Sequence, residues 1–551
     1  MFRTEVEQVM DTSLFFSFMG SLIICMALIP ALTASAGRLQ FVDVPRERHA
    51  HDAPIAKIGG IAFGIATIAA VLLWAPKDQL ILSSLLGGAV IVLFGAWDDR
   101  VNLTPRMKFI GQVLAAAIVI GLAGVRLTTV PFVDDVVFPA WVAIPLTLVV
   151  IVGVTNAVNL ADGLDGLAGG LSLISFAGIA YLAYQADEPL LVLLMVSVLG
   201  GLLGFLRFNT YPAKIFMGDA GSQFLGHYLA MAAILLTGSA RTMYSPLLAL
   251  FIWGVPLLDT IGVMGQRLLE GRSPFVGDRN HIHHKLLAKG LTHGQAVSVI
   301  YLIHAVMVSC AYVLRWQSDV VLIVVYLLWA AIILSMFVPW TQKASSAIAL
   351  ADTSRSVPAN HRALTLPIGE WAFKALQLTV PLYLVASVAM PKTIPSDAGL
   401  IAAALLVAVV GSMVMGRGKA WVVRVGLYVG STCLLYYGEV SPRLSGADLM
   451  TPLNVGFVLL AGLVVLTIRF AGTDRFQMTP LDYLIVLLAV VMPFLPGLNV
   501  GEVPVSLLAA KLIVLFFSFE LLLHFYSSAA TRLGWVSAWM LGGLVLRAWW
   551  W

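Results

Sequence analysis

Charge is what this sequence has least of. Asp, Glu, Lys and Arg make up 11% of its 551 residues, where a soluble domain carries about 25%. Cysteine is scarce as well: Cys25, Cys310 and Cys433 each stand alone in an apolar run. That excludes a disulfide scaffold, a zinc ribbon and CxxC redox chemistry, and leaves three small hydrophobes. No Lys/Arg-rich run suited to a phosphate backbone occurs, and the net charge is only +4. Nucleic acid is therefore not an expected partner. A basic leader is missing too. MFRTEVEQVMD holds three acids and one Arg, so the first apolar stretch is expected to be an uncleaved span rather than a signal peptide.

Apolar residues are abundant instead, at 60% of the chain, with a mean hydropathy of +0.94. A cytosolic enzyme and a disordered protein are both excluded. About eighteen segments are apolar over lengths that suit a bilayer crossing. Eleven lie near 14–36, 58–74, 80–96, 109–125, 142–158, 164–184, 190–206, 221–240, 245–265, 297–314 and 319–340. Seven more lie near 371–390, 398–415, 421–437, 453–470, 481–496, 504–526 and 533–549. The runs are uninterrupted rather than alternating, which selects helices over a barrel. The predicted fold is all-α, a polytopic integral membrane bundle. Its expected parts are a core at 1–340, a Ser/Ala-rich cytoplasmic linker at 341–370, and a C-terminal membrane region at 371–551. Lys and Arg concentrate in loops after odd-numbered segments, which places the loops near 37–57, 97–108, 156–166, 207–220, 266–296 and 341–370 in the cytoplasm.

Polar side chains are costly in a membrane, so their clusters mark function. Five clusters stand out, all on the predicted cytoplasmic side. DVPRERHAHDAPIAKIGG (43–60) crowds Asp43, Arg46, Arg48, His49, His51 and Lys57 between two spans. FGAWDDR (94–100) ends a span on Asp98 and Asp99, adjacent acids that repel unless a cation or proton lies between them. The same dipeptide at Asp134-Asp135 falls on the predicted outer face and reads as plain loop. In NAVNLADGLDGLAGG, Asn156, Asn159, Asp162 and Asp165 recur every third residue. On a helix that spacing lines one face, and four such oxygens suit a hard cation or a polar ligand. FMGDAGS (216–222) sets Asp219 between two glycines. RSPFVGDRNHIHHK (272–285) carries His281, His283 and His284 among five Lys/Arg residues in 267–289. That basic field favours phosphate over zinc. Acids and amides for Mg²⁺ thus share one membrane face with basic residues for phosphate. Such a face suits a soluble phosphorylated donor entering from the cytoplasm and a lipid acceptor entering from the bilayer.

These segments, with VPLLDT (255–260) and NHIHHKLLAKG (280–290), resemble in kind and order the polyprenyl-phosphate N-acetylhexosamine-1-phosphate transferases, the superfamily that includes the MraY translocases. The resemblance covers residues 14 to about 340. It implies a transferase core of ten or eleven helices, leaving about seven helices beyond it. It also implies a reaction: a polyprenyl phosphate attacks the β-phosphorus of a UDP-sugar, UMP leaves, and a polyprenyl-diphosphate-sugar remains in the membrane. By the same resemblance Asp219 and Asn159 hold Mg²⁺, with Mn²⁺ as a substitute. Asp98 and Asp99 are its essential acidic pair, and Lys108 contacts phosphate. Asp162 and Asp165 lie near uridine and sugar, and His281, His283 and His284 form the donor loop. Lys57, Asn156, Phe216 and Arg272, within the same motifs, are further expected substrate-binding residues.

The spelling HIHH, with Arg272 and Pro274 upstream, resembles the branch that starts O-antigen, enterobacterial common antigen and teichoic acid linkage units. UDP-GlcNAc is accordingly the expected donor and undecaprenyl phosphate the expected acceptor. The expected setting is the cytoplasmic face of a bacterial inner membrane. A phospho-MurNAc-pentapeptide transferase is the alternative within the family, and a lipid-carrier flippase the alternative from another class. The tail matches no part of the family. Handling the lipid product, binding a partner and stabilising a homodimer are its three candidate roles. Lys511, Glu520 and His524 share one of its segments, Glu520 and His524 being i, i+4 neighbours. A lipid-head or proton site is one reading of that pair, and end-of-helix snorkelling and packing is the expected one.

Overall fold

Each of the eleven apolar segments expected before residue 340 forms a helix. The computed structural model describes residues 2–43, 54–133, 136–238, 244–273, 280–335, 367–415, 420–440, 447–470, 499–500, 503–525 and 529–549. The loop basics Arg46, Arg48, His49 and His51, the Asp134-Asp135 pair, most of the 341–370 linker and the 481–496 segment lie outside them. Contacts divide the chain into two units, Met1–Ser356 with Thr479–Leu484, and Val357–Met478 with Ile485–Trp551.

The first unit runs α1 (Phe2–Ala36), β1 (Val42–Asp43), β2 (Ile55–Lys57), α2 (Gly59–Trp74), α3 (Gln79–Val101), α4 (Pro105–Leu122) and α5 (Ala140–Ala161). It continues through α6 (Leu167–Gln185), α7 (Pro189–Asn209), β3 (Ile215–Phe216), α8 (Gly218–Gly238), α9 (Leu248–Leu269), the short α10 (Ile282–Ala288), α11 (His293–Val313) and α12 (Asp319–Ser335). Among the described residues of the whole chain, nine helices are long and apolar enough to cross a membrane. The protein is an all-α, multi-pass membrane protein.

Helix α8 is not one of those nine, and its position explains why. It packs against α2, α3, α4, α5, α6, α7 and α9, and every residue from Ala220 to Ile234 is buried. A helix that meets protein on all sides need not be apolar on all sides, and α8 carries Asp219, Gln223 and His227. Its neighbours reach it through glycine. A Cβ at Gly60 of α2 would lie 2.1 Å from the Gly221 nitrogen, and one at Gly95 of α3 would lie 2.4 Å from Ala220 Cα. Small residues let helix backbones approach where lipid supplies no hydrophobic drive.

Two local features place chemistry at the ends of helices. A three-stranded sheet, ordered β1-β2-β3, pairs β2 parallel to β3 with Lys57 opposite Phe216. It ties the loop before α2 to the chain just before Asp219. Helix α9 is kinked at Gly254 (φ 38°, ψ −121°), two residues before Pro256. The Val255 N–H freed there donates to His304 Nδ1 of α11 at 3.3 Å, as kinked membrane helices require.

In the second unit the expected snorkelling of Lys511 is not what forms. Lys511, in helix Val505–Phe525, is buried and donates to Glu439 of helix Ala420–Val440 and to Asn454 Oδ1 at 2.7 Å. Glu520 of the same helix accepts from Tyr428 and from Arg424 Nε, the latter at 3.2 Å. The side chain of His524 lies outside the described residues. Two ion pairs of reversed polarity thus join one antiparallel helix pair. Breaking such a pair from one side strands a buried charge, at about 3–5 kcal/mol, whereas apolar replacement of both partners is near neutral. Lys511→Met should therefore lower the thermal midpoint in detergent, and Lys511→Met with Glu439→Leu should restore most of it. A double variant no better than the single one would refute the pairing.

Candidate active site

The site is built where α3, α4, α5 and α8 end or begin together. Helix α3 ends in FGAWDDRV, and Asn102 at its C-cap adopts φ 53°, a left-handed conformation that Asn tolerates better than most residues. Pro105 then opens α4 at a position where its missing N–H costs nothing. Asp98 Oδ1 closes this turn by accepting the Leu103 N–H at 2.6 Å. Its other oxygen, Oδ2, pairs with Lys108 in the first turn of α4. Lys108 Nζ also reaches Asp219 Oδ2 at 3.0 Å. Asp219 Oδ1 accepts from Asn159 Nδ2 at 2.6 Å, and the same Nδ2 lies 2.7 Å from Ser222 Oγ. One ammonium therefore bridges two carboxylates from helices 121 residues apart in sequence (98 to 219).

Asp99 has a different task. Its Oδ1 accepts the Asp219 N–H at 2.8 Å and its Oδ2 the Ala220 N–H at 3.0 Å. Both are first-turn donors of α8 with no partner inside the helix, so Asp99 is an N-cap supplied from another helix. A carboxylate there also meets the positive end of the helix dipole. Gly218 permits the approach: it has φ +68°, and a Cβ on it would lie 2.4 Å from Asp99 Oδ2.

Residues 81–237 match the family model described as glycosyl transferase family 4. A protein named probable undecaprenyl-phosphate N-acetylglucosaminyl 1-phosphate transferase, from Bacillus subtilis (strain 168), is 36% identical over 302 residues, 54% of this chain and 84% of that protein. The chain belongs to glycosyl transferase family 4. A decaprenyl-phosphate N-acetylglucosaminephosphotransferase from Mycobacterium leprae is 37% identical over 298 residues, 48% of this chain and 75% of that protein. An undecaprenyl-phosphate alpha-N-acetylglucosaminyl 1-phosphate transferase from Salmonella typhi is 30% identical over 312 residues, 53% and 82% of the two chains. Each of these matches covers about half of this chain.

The family-model match takes in Asp98, Asp99, Lys108, Asn156, Asn159, Asp162, Asp165, Phe216 and Asp219. The expected four-residue stripe is split, however. Helix α5 stops at Ala161, and Asp162 is its C-cap residue. The following turn contains Gly163, and Gly166 at φ +79°. Only Asn156 and Asn159 share a helix face. Asp162 is exposed, and Asp165 in the turn accepts the Ala213 N–H on Oδ2 at 2.9 Å. The Asp162 carboxyl is pushed up, first by desolvation and then by Asp219, Asp99 and Asp165. Its side chain keeps solvent contact, which tempers the burial effect and leaves the carboxylate neighbours as the firmer cause.

The histidine motif folds onto this same turn. His281 Nδ1 lies 2.8 Å from Asp259 Oδ2, and the Ile282 N–H donates to Asp259 Oδ1 at 2.9 Å. Asp259 of α9 thereby anchors the start of α10. His283 follows, buried against Gly163, where a Cβ would come within 2.3 Å of its Nε2. Burial first, then His284, His281 and His293, push the His283 ring down to about 3. His283 is therefore neutral near pH 7 and adds no fixed charge to the basic field expected of this loop. The His284 ring lies beside it, tilted by 46° with 4.2 Å between ring centres. Lys57 faces Asp43 at 3.4 Å, one strand from Phe216. Arg272 pairs with Glu270 at the exposed end of α9.

Three polar residues outside the quoted motifs, Gln112, Gln223 and His293, belong to this network, and Asp259 of VPLLDT joins them. Gln112 accepts on Oε1 from Asn156 Nδ2 at 2.8 Å and donates to Gln223 Oε1 at 3.2 Å. Both glutamines are buried. Asp259 anchors His281, and His293 Nε2 accepts the Asp165 N–H at 3.1 Å. Helical spacing was the available signal for two of them. Gln112 is four residues after Lys108 and Gln223 four after Asp219, so each lies one turn further along the same face.

Proposed function

We propose that the chain transfers GlcNAc-1-phosphate from UDP-GlcNAc to a polyprenyl phosphate at the cytoplasmic face of a bacterial inner membrane. Products are the polyprenyl-diphosphate-sugar and UMP. One observation carries the reading: Asp98 and Asp219 share a single cation, the Lys108 ammonium, with Asn159 beside them. A place that already holds positive charge between two carboxylates fits Mg²⁺, which takes one or two carboxylates plus substrate phosphates. Asp98, Asp219 and Asn159 would hold it. When bound, it supplies charge neutralisation at the diphosphate.

The remaining steps belong to the chain. The carboxylates of Asp98 and Asp219 stand against the single positive charge of Lys108, so an anionic diphosphate needs a further cation to approach them. Lys108, on a flexible stem, can follow a phosphate oxygen. Asp165 and the His283–His284 pair border the turn at Gly163 and offer a polar wall for the uridine and sugar. The lipid phosphate is already largely ionised at neutral pH, so its attack needs positioning more than a base. The P–O bond to UMP breaks as the bond to the lipid phosphate forms.

Two further points favour this reading. The relatives' names specify N-acetylglucosaminyl transfer, which favours GlcNAc over MurNAc-pentapeptide. The charged groups also gather at helix ends, whereas a transporter places them near mid-span on broken helices.

Reverse exchange tests the proposal. Labelled UMP, undecaprenyl-diphosphate-GlcNAc and Mg²⁺ incubated with the full chain in detergent should yield labelled UDP-GlcNAc, and EDTA should stop it. A folded protein that forms no labelled UDP-GlcNAc refutes the assignment.

A further inference from the structure

We infer that Lys108 and the divalent cation compete for one place between Asp98 and Asp219, so that cation binding is coupled to release of the Lys108 ammonium. The inference rests on the cation-dependent reading of this site and deepens it.

Three of the four carboxylate oxygens accept hydrogen bonds from the chain, and the fourth, Asp98 Oδ2, is ion-paired with Lys108. Asp98 Oδ1 holds the Leu103 N–H at 2.6 Å, and Asp98 Oδ2 holds Lys108. Asp219 Oδ1 holds Asn159 Nδ2 at 2.6 Å, and Asp219 Oδ2 holds Lys108 Nζ at 3.0 Å. A cation that bridges Asp98 Oδ2 and Asp219 Oδ2 takes the place the ammonium now holds. Leu103 offers a backbone N–H fixed by the α3–α4 turn. Asn159 has a short side chain on a packed helix, also held to Ser222 Oγ at 2.7 Å. Lys108 alone among these donors sits on a long flexible stem, and its side chain is 35% exposed. It is the donor that can leave.

Electrostatics points the same way. Two cations cannot share one carboxylate oxygen at contact distance without strong repulsion. A dication gains more from two carboxylates than an ammonium does, and the released ammonium, on a partly exposed stem, is free to meet a phosphate. Lys108 thus has two posts. With no cation bound it keeps the carboxylates from repelling one another; with cation bound it serves phosphate.

The test is Mn²⁺ binding by electron paramagnetic resonance to the full chain in detergent, without substrates. Subtracting the binding of Asp219→Asn isolates this site. Lys108→Met should bind Mn²⁺ about tenfold or more tightly than wild type, because the internal competitor is gone. Lys108→Arg, which keeps the charge, should stay within about threefold of wild type. Equal or weaker binding by Lys108→Met, with an Asp219-dependent site in wild type, overturns the competition alone. Identical Mn²⁺ binding by wild type and Asp219→Asn overturns the competition and the cation assignment of the proposed function together. A second measurement needs no variant: Mn²⁺ should raise the rate at which an amine-acylating reagent modifies Lys108, read by mass spectrometry. An unchanged rate at saturating Mn²⁺ also refutes the inference.

Discussion

Asp219→Asn should abolish transfer, by about a thousandfold or more, in a protein that still folds. The reasoning is local. Asp219 stands in the first turn of α8 with one oxygen on Asn159 and the other on Lys108. An asparagine keeps the shape and one acceptor oxygen. It loses the charge proposed to hold a cation and turns an amide donor toward either Asn159 or Lys108. Removing one group that stabilises transferring charge commonly costs about a hundred- to a thousandfold in rate, and loss of a metal ligand adds to that. The packing of α8 depends on its glycine-mediated approaches and buried apolar residues, so its thermal midpoint should move little. Turnover within tenfold of wild type would remove Asp219 from the chemistry altogether.

The second large effect separates the two adjacent aspartates. Asp99→Asn should lower both the activity, about a hundredfold, and the thermal midpoint. Both Asp99 oxygens accept backbone donors of α8, at 2.8 and 3.0 Å. An asparagine offers one acceptor and sets its amide hydrogens against the second N–H. A buried donor left unpaired costs about 1–3 kcal/mol, and an N-cap lost costs about 1 kcal/mol. The same change shifts the backbone of Asp219, which carries the loss into catalysis. The alternative role for Asp99, as the base that deprotonates the lipid phosphate, makes a different forecast. In that case activity falls, but the thermal midpoint and Mn²⁺ affinity stay at wild-type values. Calorimetry and cation binding on one preparation decide between cap and base.

Not every element of this molecule is legible in its sequence, and particular residues show why. The spans were legible because hydropathy is a local property: twenty apolar residues in a row must cross or be buried wherever their neighbours lie. Helix α8 is instructive. It was recognised as a span although it lacks the apolarity of nine others, and only its central position explains the polar residues it tolerates. The candidate residues were legible because charged side chains in an apolar sequence are rare and costly, so each one that persists is informative. The error in the Asn156–Asp165 stripe came from reading periodicity through Gly163 and Gly166, where the helix in fact ends. The pairing of Lys511 is invisible in the sequence for another reason. Its partner Glu439 lies 72 residues away on a different helix, and no spacing rule reaches that far.

By itself, then, the sequence determined the class of molecule, the approximate borders of its helices and the set of candidate residues for its chemistry. These depend on the solvent each segment can bear and on the identity of side chains. Tertiary structure alone decided what each of those residues does for its neighbours. It made Asp99 a cap while Asp98 became a charge partner, though the two are adjacent in the chain. It placed Lys108 between carboxylates from two other helices and His283 on the glycine of a distant turn. Successive residues at a helix end point about 100° apart, so adjacent side chains meet different helices. Which helix each one meets is set by packing, and packing is a property of the whole bundle.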